Sequence, residues 1–206
     1  MVYIGVLGAQ NVGKTAILKL FEKYVEEEKI KEVDNEITIK LMEKDFKGET
    51  HVVVENGKST TITITPNRIA FNDSKNRNHS IFAPGGHIER NVVKMGIITI
   101  SKIVKSVIAI FALDRPIKEQ FEFFKEVRFF PKMIYVCFNK FDLMKNEKDI
   151  EEKIKNFEGE IIEYFQSKRI AVKNFYRTVA IETPDMKKYN DEIIKMILEI
   201  INSPTG

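Results

Sequence analysis

The chain has 206 residues, of which 43% are hydrophobic, 31% charged and 10% aromatic. These proportions exclude a disordered or fibrous chain, and an α/β domain of this length can bury a complete core. Because 33 Lys and Arg residues face 30 Asp and Glu residues, the net charge of +3 implies no strong general field for nucleic acid or membrane.

Apolar runs of strand length recur along the chain and alternate with helical patterns. Strands are predicted at 2–7, 62–71, 79–83, 106–112, 132–138 and 175–181. Several of these runs lack period-2 alternation, which is typical of strands covered on both faces. Helical spacing is clearest from Ala16 to Val25 and from Ile193 to Ile201.

Two further helices are predicted between these strands. The apolar and basic segment 92–106 is interpreted as a second helix covered by the sheet, in preference to a membrane contact. The aromatic-rich segment 121–131 is predicted to be a core-facing third helix, on which Phe123 and Phe130 could leave an exposed patch for a partner.

This alternation predicts an α/β fold in three layers, with a mostly parallel sheet of about six strands and helices on both faces. Only the polar turn DSKNRN separates the runs 62–71 and 79–83, so that pair is predicted to be antiparallel and to add one reversed edge strand. The charged segment 26–49 could be helix or loop, whereas Asn56-Gly57 indicates a hairpin tip. We expect one domain over residues 1–206.

The segment GAQNVGKT, from Gly8 to Thr15, follows the first strand and opens the first helix. It satisfies the phosphate-loop pattern G-x-x-x-x-G-K-[ST] in the required strand, loop and helix context. Gly8 and Gly13 let backbone N–H groups turn towards a phosphate at a helix N-terminus, whose dipole favours an anion. Lys14 would reach the β- and γ-phosphates, and the Thr15 hydroxyl would bind Mg²⁺.

The tetrapeptide NKFD, residues 139–142, follows the predicted strand 132–138. A carboxylate at Asp142 can accept two hydrogen bonds, from N1–H and from the exocyclic amine of guanine, whereas adenine offers no such pair of donors. Together, GAQNVGKT and NKFD resemble the small GTPase branch of the P-loop NTPases. The resemblance implies a third base contact, from the backbone amide of Ala180 in the triplet Thr178-Val179-Ala180.

The resemblance implies GTP or GDP with Mg²⁺ as ligands and assigns a set of contact residues. Expected nucleotide contacts are Gly8, Gln10, Asn11, Val12, Gly13, Lys14, Thr15, Ala16, Thr61, Gly85, Asn139, Lys140, Asp142 and Ala180. Expected metal ligands are Thr15 and Thr61. The Asn11 form of the loop is similar to that of potassium-assisted GTPases, which leaves K⁺ open as a further ligand.

The segment after the third predicted strand departs from the small GTPase pattern. That pattern is D-x-x-G, but here the chain reads Phe82-Ala83-Pro84-Gly85, and Gly86 stands where the family has Gln. A subset of prokaryotic GTPases, the MglA-type cell-polarity GTPases and relatives linked to roadblock-domain proteins, also lacks this Asp. The segment 58–71 is similar to that subset too, with Thr61 in the place of the switch I threonine that closes on Mg²⁺.

The missing acid leaves the catalytic residues open. Lys14 is expected to stabilise charge on the γ-phosphate. His87 could position or polarise the attacking water, and the alternative is a surface histidine at a helix start. Asp114 could compensate for the missing Asp, or it could simply form the turn before Arg115-Pro116.

The favoured interpretation is a regulatory GTPase with slow intrinsic hydrolysis. Activating, exchange or roadblock-type protein partners would contact switches near 45–61 and 85–96, with the segment 26–59 as an extended switch I region or insertion. The alternatives are a non-hydrolysing scaffold that holds nucleotide as a structural ligand, and a P-loop kinase with 26–57 as a lid.

No targeting signal is found in the sequence. No segment approaches the roughly 18 consecutive apolar residues that span a bilayer, and no lipidation motif is present. Cys137 is the single cysteine, so an internal disulfide is impossible and a reducing compartment fits. We expect a cytoplasmic protein with no membrane anchor and no nucleic-acid partner.

Overall fold

The computed structural model describes residues 1–46, 50–55, 58–63, 65–89, 91–144 and 148–203, with the backbone alone within 50–63. In these residues the chain forms nine strands: β1 Val2–Leu7, β2 Lys40–Asp45, β3 Thr50–Glu55, β4 Lys58–Thr63, β5 Asn67–Asn72, β6 Asn78–Ala83, β7 Ser106–Ala112, β8 Met133–Asn139 and β9 Ala171–Arg177. The same residues form six α-helices: α1 Lys14–Glu26, α2 Ile30–Val33, α3 Asn91–Ile103, α4 Ile117–Lys125, α5 Ile150–Ser167 and α6 Lys187–Asn202.

Seven of these strands form the main sheet, in the order β2-β5-β6-β1-β7-β8-β9. Strands β6, β1, β7, β8 and β9 are parallel neighbours, and β5 runs antiparallel to both β6 and β2. The predictions of a mostly parallel sheet and of an antiparallel pair around the polar turn are confirmed. The reversed strand lies one place inside the edge, because β2 adds a seventh strand beyond it.

Strand β2 forms within the charged segment that could have been helix or loop. Its side chains are exposed along nearly its whole length, so it has no apolar run for a sequence pattern to detect. Charged side chains on an edge strand discourage pairing with another molecule, which is a physical reason for this composition.

Two strand boundaries differ from those predicted. The run 62–71 is divided, because Ile62 and Thr63 pair with β3 in a separate two-stranded sheet and β5 begins only after Pro66, which has no N–H for a ladder. Strand β9 begins at Ala171 and ends at Arg177, earlier than the run 175–181. The polar and exposed start of β9 masks the strand in the sequence.

Strands β3 and β4, on either side of the predicted hairpin tip Asn56-Gly57, are antiparallel neighbours. Their register ends with the pair Glu55 and Lys58. The tip itself lies outside the described residues.

The two faces of the sheet carry separate hydrophobic layers. Helices α1, α2 and α6 cover one face, where Phe21, Ile81 and Ile193 are fully buried. Helices α3, α4 and α5 cover the other, where Phe124 and Phe165 are fully buried. Each such side chain contributes roughly 1.5–3 kcal/mol through the area it removes from water, so the two layers fix three helices against each face of the sheet.

The prediction for the aromatic segment was wrong in part. Helix α4 ends at Lys125, short of residue 131, and Phe123 is buried between α4 and the sheet. Phe130 is half-buried, with its ring centroid 5.7 Å from that of Phe165. The exposed ring of this segment is Phe129, which the sequence pattern did not single out.

Helix α3 is covered on one side only. It buries Val93, Ile97 and Ile100 but leaves Val92 59% and Met95 63% exposed. The interpretation of this segment as a covered helix therefore holds for its inner face and is wrong for its outer face. Among the helices in the described ranges, none has the length and apolar character that crossing a bilayer requires.

The turn between β5 and β6 is organised by one carboxylate. Asp73 accepts hydrogen bonds from the backbone N–H groups of Lys75 (3.0 Å) and Arg77 (2.9 Å), from Arg77 Nε (2.6 Å) and from buried His79 (3.2 Å). Burial opposes ionisation of Asp73, but these hydrogen bonds outweigh it and lower the pKa of the carboxyl to about 2.

Candidate functional site

The segments singled out in the sequence meet at the carboxyl edge of the parallel strands. Residues 8–15 follow β1, residues 84–87 follow β6, NKFD overlaps the end of β8, and residues 178–181 follow β9. This edge, where the chain leaves adjacent parallel strands, is the usual ligand-binding edge of an open α/β sheet.

The loop after β1 requires both of its glycines. Gly13 has φ of 99°, and a Cβ there would lie 2.1 Å from Nδ2 of Asn139. A Cβ on Gly8 would lie 2.6 Å from the carbonyl oxygen of Ile110. Gly13 also precedes α1 without any side-chain cap, so the first N–H groups of that helix are free for an external anion.

Lys14 lies in this loop with its ammonium group buried. Its Nζ donates to the carbonyl oxygens of Gly8 (2.8 Å) and Ala9 (2.7 Å). Burial, followed by the positive charge of Arg115, lowers the pKa of Lys14 to about 7. Arg115 in turn donates from Nη1 to the carbonyl oxygen of Gln10, at 3.1 Å.

Two cations thus flank one turn of backbone. Lys14 has no carboxylate partner within the described residues, and the carboxylate nearest Arg115 is its neighbour Asp114 at 3.8 Å. Like charges held together without a matching acid are stabilised when an anion arrives, which fits a polyphosphate chain.

Thr15 has a partner that the sequence did not predict. Asn67, buried at the start of β5, donates from Nδ2 to the Thr15 hydroxyl at 2.8 Å. The expected switch threonine, Thr61, lies in β4 opposite Val52, and its side chain is outside the described part. Its role as a metal ligand stays a prediction.

A cleft of about 520 Å³ opens above the loop. Its walls contain eight of the residues expected to contact nucleotide or water: Gln10, Asn11, Gly13, Lys14, Thr15, Ala16, Gly85 and His87. Further wall residues are Lys19, Phe46, Asn67, Pro84 and Gly86.

The segment after β6 lies directly against the phosphate loop. A Cβ on Gly86 would be 2.5 Å from the backbone nitrogen of Gln10 and 2.6 Å from the carbonyl group of Ala9. No side chain fits at this position in this arrangement, which gives a steric reason for glycine instead of glutamine.

Phe82, at the position of the missing acid, belongs to the sheet packing. Its ring meets that of Tyr3 edge to face at 5.9 Å and packs against the layer of α3, α4 and α5. Asp114 does not replace the acid, because its carboxylate binds Lys140 Nζ at 2.7 Å. The interpretation of Asp114 as a local residue of the loop after β7 agrees with this pairing.

Two polar atoms in the cleft wall have no partner within the described residues. They are Nε2 of Gln10 and Nδ1 of His87, and both are buried from solvent. Buried polar atoms are normally hydrogen-bonded, so these two mark positions where a ligand or water fits. His87 lies in the cleft wall, four residues before the first residue of α3, and its role stays a prediction.

Asn139 connects the loop after β8 to the phosphate loop. Its Nδ2 donates to the carbonyl oxygen of Val12 at 2.8 Å, and its Oδ1 accepts from the hydroxyl of buried Thr178 at 3.3 Å. Thr178 also lies 3.0 Å from the sulfur of Cys137. Burial raises the pKa of the Cys137 thiol to about 12, so this sulfur is a packing atom.

The remaining residues of NKFD are presented by a tight turn. Lys140 has φ of 65° and lies over the loop after β7, held by Asp114. Asp142 is half-buried in the short 3₁₀ helix Phe141–Leu143, and within the described residues its carboxylate has no hydrogen bond or ion pair. It can therefore accept hydrogen bonds from a bound base.

The loop containing Ala180 is fixed by a residue that no sequence motif indicated. Asn190 is fully buried in α6 and donates from Nδ2 to the carbonyl oxygens of Val179 (2.5 Å) and Ile181 (3.2 Å). With its carbonyl groups held by α6, this loop has a defined backbone next to NKFD. A lone asparagine ahead of an apolar helical face was the available signal.

No cluster of three or more His, Cys, Asp and Glu side chains occurs in the residues the structure describes. Among the described side chains that line the cleft, the Thr15 hydroxyl is the group that would bind a cation beside phosphate oxygens. This donor set suits Mg²⁺, which binds through few protein groups together with phosphates and water.

No protein-family model matches the sequence, and no curated protein matches it. Solved structures do match. The bacterial selenocysteine-specific elongation factor EF-Sec aligns with a TM-score of 0.55 and 16% identity over 98% of this chain and 29% of its own. A glycine-to-proline variant of SsGBP aligns with a TM-score of 0.49 and 15% identity over 98% of this chain and 56% of its own.

The chain thus spans under a third of EF-Sec and just over half of SsGBP. At 16% identity the likeness to EF-Sec concerns the fold alone. It agrees with a three-layer P-loop NTPase fold, which the sheet order and the position of the loop after β1 also display.

Proposed function

We propose that this chain is a small GTP-binding protein, a regulatory GTPase that hydrolyses GTP to GDP slowly. The observation that carries the proposal is the contact between Asn139 and Val12, because it joins the phosphate loop to the NKFD loop in one rigid unit. A phosphate-binding turn and a guanine-selecting carboxylate must be held at a fixed separation to bind one nucleotide.

The phosphate side of the proposal is supported by charge and by backbone geometry. The uncapped start of α1, the two cations Lys14 and Arg115 and the glycine turn all favour a polyanion. Mg²⁺, when bound, would offset charge on the β- and γ-phosphates, and Thr15 is the residue that would hold it.

The base side is supported by Asp142, whose carboxylate accepts no hydrogen bond from the described residues and lies beside the fixed loop of Ala180. A carboxylate accepts from both N1–H and the 2-amino group of guanine, and it would repel the acceptor nitrogen N1 of adenine. This is the argument against the P-loop kinase alternative, in which ATP would be the ligand.

Slow hydrolysis is supported by the residues at the end of β6 and after it, which face the phosphate loop across the cleft. Gly86 has no side chain to orient water, and Phe82 supplies no carboxylate. His87 is the one polar side chain after β6 that lines the cleft among the residues described, and its Nδ1 has no partner. We assign His87 the positioning of water and Lys14 the stabilisation of charge on the transferred phosphoryl group.

Two departures from the small GTPase pattern indicate a particular subset of GTPases. The absence of the acid at Phe82 and the proline at residue 84 are shared with the MglA-type GTPases and their roadblock-associated relatives. We propose that the chain belongs with that subset and that proteins of the activating, exchange or roadblock type contact it at the segments after β2 and β6.

Titration calorimetry with GTP, GDP and ATP tests the proposal. We expect GTP and GDP to bind with Mg²⁺ and ATP to bind at least 100-fold more weakly. Asp142→Ala should remove this preference, whereas Asp149→Ala, an exposed carboxylate just before α5, should keep it. If ATP competes equally with GTP for the wild-type chain, the proposal fails and the kinase alternative gains support.

A variant that gains affinity for a different base tests the role of Asp142 more sharply. Xanthine carries a carbonyl oxygen where guanine has its 2-amino group, so it needs a donor from the protein. Asp142→Asn should therefore weaken GDP binding and strengthen binding of xanthosine diphosphate. An unchanged order of affinities would contradict the role of Asp142.

A second function, a non-hydrolysing nucleotide-binding scaffold, is favoured by the tight contact of Gly86 with the phosphate loop. Phosphate release from a single-turnover mixture with GTP separates the two. Slow release that falls further in His87→Ala supports the GTPase, whereas no release above the buffer rate supports the scaffold.

A further inference from the structure

The charges of the chain are balanced overall but unevenly distributed. Three segments, 99–113, 127–138 and 164–173, together contain seven Lys and Arg residues and no Asp or Glu. Lys173 is paired with Glu199 of α6 at 3.2 Å, and the other six cations form a local excess of positive charge that the net charge of +3 for the whole chain hides.

The fold brings these segments to one end of the molecule. Ser106 at the start of β7 pairs with Ile4, and Met133 at the start of β8 pairs with Ala171 at the start of β9. Because these strands are parallel, their starts share one edge of the sheet. This edge is opposite the one that carries the phosphate loop.

Apolar side chains are exposed at this end. Ile103 is 44%, Phe129 42% and Met133 46% exposed. The ammonium group of Lys102 lies 5.2 Å from the centre of the Phe129 ring, which joins the end of α3 to the segment before β8. The surface formed by these segments is called the basic-apolar end and consists of Lys102, Ile103, Lys105, Phe129, Lys132 and Met133.

No acidic side chain neutralises the basic-apolar end from its own segments. The nearest acid in the sequence is Glu126, and its carboxylate forms an ion pair with Lys94 at 3.1 Å. Cations at helix C-termini are favoured by the helix dipole, which accounts for Lys102 at the end of α3 and for Lys168 after α5. The dipole does not account for three exposed apolar side chains among the cations.

We propose that the basic-apolar end docks on a membrane surface that contains anionic lipid. Each Lys or Arg near such a surface contributes about 1 kcal/mol, and apolar side chains between them can enter the boundary between headgroups and acyl chains. Two of the three exposed apolar side chains are aliphatic, whereas contact with single-stranded RNA relies on aromatic rings that stack on bases.

Docking in this orientation leaves the cleft accessible. The strands stand between the basic-apolar end and the phosphate loop, so the cleft faces away from the lipid. Nucleotide binding and lipid binding then use opposite ends of the same sheet, and the proposal does not depend on the proposed function.

Co-sedimentation of the full chain with vesicles tests this docking. We expect binding to vesicles of phosphatidylcholine with about 30% phosphatidylserine, no binding to phosphatidylcholine alone, and at least a 5-fold loss of binding between 50 and 300 mM salt, by screening. Lys102→Glu with Lys132→Glu should reduce binding about 10-fold or more. Ile103→Ser with Phe129→Ser should reduce it while leaving the remainder salt-sensitive.

The matched control is Lys118→Glu with Lys155→Glu, which makes the same change of net charge at exposed positions near the starts of α4 and α5. We expect it to bind vesicles like the wild type, and unchanged thermal unfolding of each variant serves as the folding check. The proposal is overturned if vesicles with phosphatidylserine bind no better than phosphatidylcholine, if the control loses as much binding as Lys102→Glu with Lys132→Glu, or if a 20-nucleotide RNA binds and vesicles do not.

Discussion

Lys14 and Arg115 place two positive charges beside the same turn of backbone. Lys14 binds the carbonyl oxygens of Gly8 and Ala9, and Arg115 binds that of Gln10. Neither contact supplies a negative charge, and the pKa of Lys14 falls to about 7 as a result of burial and of Arg115. The state of this lysine therefore depends on whether an anion occupies the loop.

Nucleotide binding should be coupled to proton uptake by Lys14. A bound phosphate chain favours the charged ammonium and raises its pKa, so above pH 7 the free protein must take up a proton as it binds. At pH 8.5 we expect uptake of close to one proton per GDP, measured by calorimetry in two buffers of different ionisation enthalpy. Affinity should fall by up to about 10-fold per pH unit above 7.

The control for this prediction is Lys14→Arg, since a guanidinium stays charged throughout this pH range. It should bind GDP more weakly, with no proton uptake. Equal binding heats for the wild type in both buffers would contradict the assignment of the titrating group.

Gly86→Ala should destabilise the protein. The new methyl group would lie within 2.6 Å of backbone atoms of Ala9 and Gln10, which cannot yield as a flexible side chain would. Overpacking of this kind costs about 1–3 kcal/mol, or else residues 84–87 move away from the loop. Thermal unfolding and protease sensitivity after β6 measure the two outcomes.

Gly96→Ala is the matched control, because a Cβ at this position in α3 meets nothing within 4 Å. Alanine is favoured over glycine in a helix by up to about 1 kcal/mol, so this variant should be more stable than the wild type. Equal stability of Gly86→Ala and the wild type, with unchanged protease sensitivity, would show that the contact with the phosphate loop does not exist in solution.

Asn67→Ala should weaken the magnesium-dependent part of GTP binding by about 10-fold, since the amide of Asn67 orients the hydroxyl of Thr15. Binding measured with a chelator present should change little. Asn72→Ala, at the other end of β5, is the control. A loss that is equal with and without Mg²⁺ would mean that Asn67 supports the loop and not the metal ligand.

Asp73 should govern stability in acid. Its pKa of about 2 in the folded chain lies below the ordinary value of 3.8, so its contribution of ~2 kcal/mol is present above about pH 4 and is lost as the pH falls towards 2. Buried His79, whose pKa is lowered by burial, adds a loss that begins as the pH falls below about 6.5.

Urea unfolding at pH 2.5, 4 and 7 measures this effect. Asp73→Asn should be less stable than the wild type at pH 7 and should lose less stability between pH 4 and pH 2.5. Asp149→Asn should follow the wild type at each pH. If the free energy of unfolding of the wild type and of Asp73→Asn changed equally with pH, the proposed contribution of the Asp73 carboxylate would be contradicted.

The features of the fold that depend on short-range interactions could be predicted from the sequence. The alternation of buried strands and amphipathic helices gave the layer order, and glycine requirements at Gly8 and Gly13 gave the phosphate loop, because in each case short-range chemistry decides the structure.

Contacts between distant segments could not be read in this way. Strand β2 is stabilised by its pairing with β5, more than twenty residues further along the chain. Asn67, the first residue of β5, contacts Thr15, which lies 52 residues earlier. In the sequence, Asn190 is simply a polar residue on an apolar helix. Its role depends on the loop after β9, whose carbonyl groups accept its hydrogen bonds. Each depends on a neighbour more than ten residues away, which no local pattern contains.

The contact of Gly86 with the backbone of Ala9 and Gln10 also restricts how this chain can change over evolutionary time. A glutamine at residue 86 cannot be acquired by one substitution, because the segment that carries it must first shift outward. Mutations that move residues 84–87 away from the loop would have to precede the substitution of Gly86 by glutamine. For the proposed GTPase, a side chain supplied by another molecule is a more direct route to faster turnover than a substitution at residue 86.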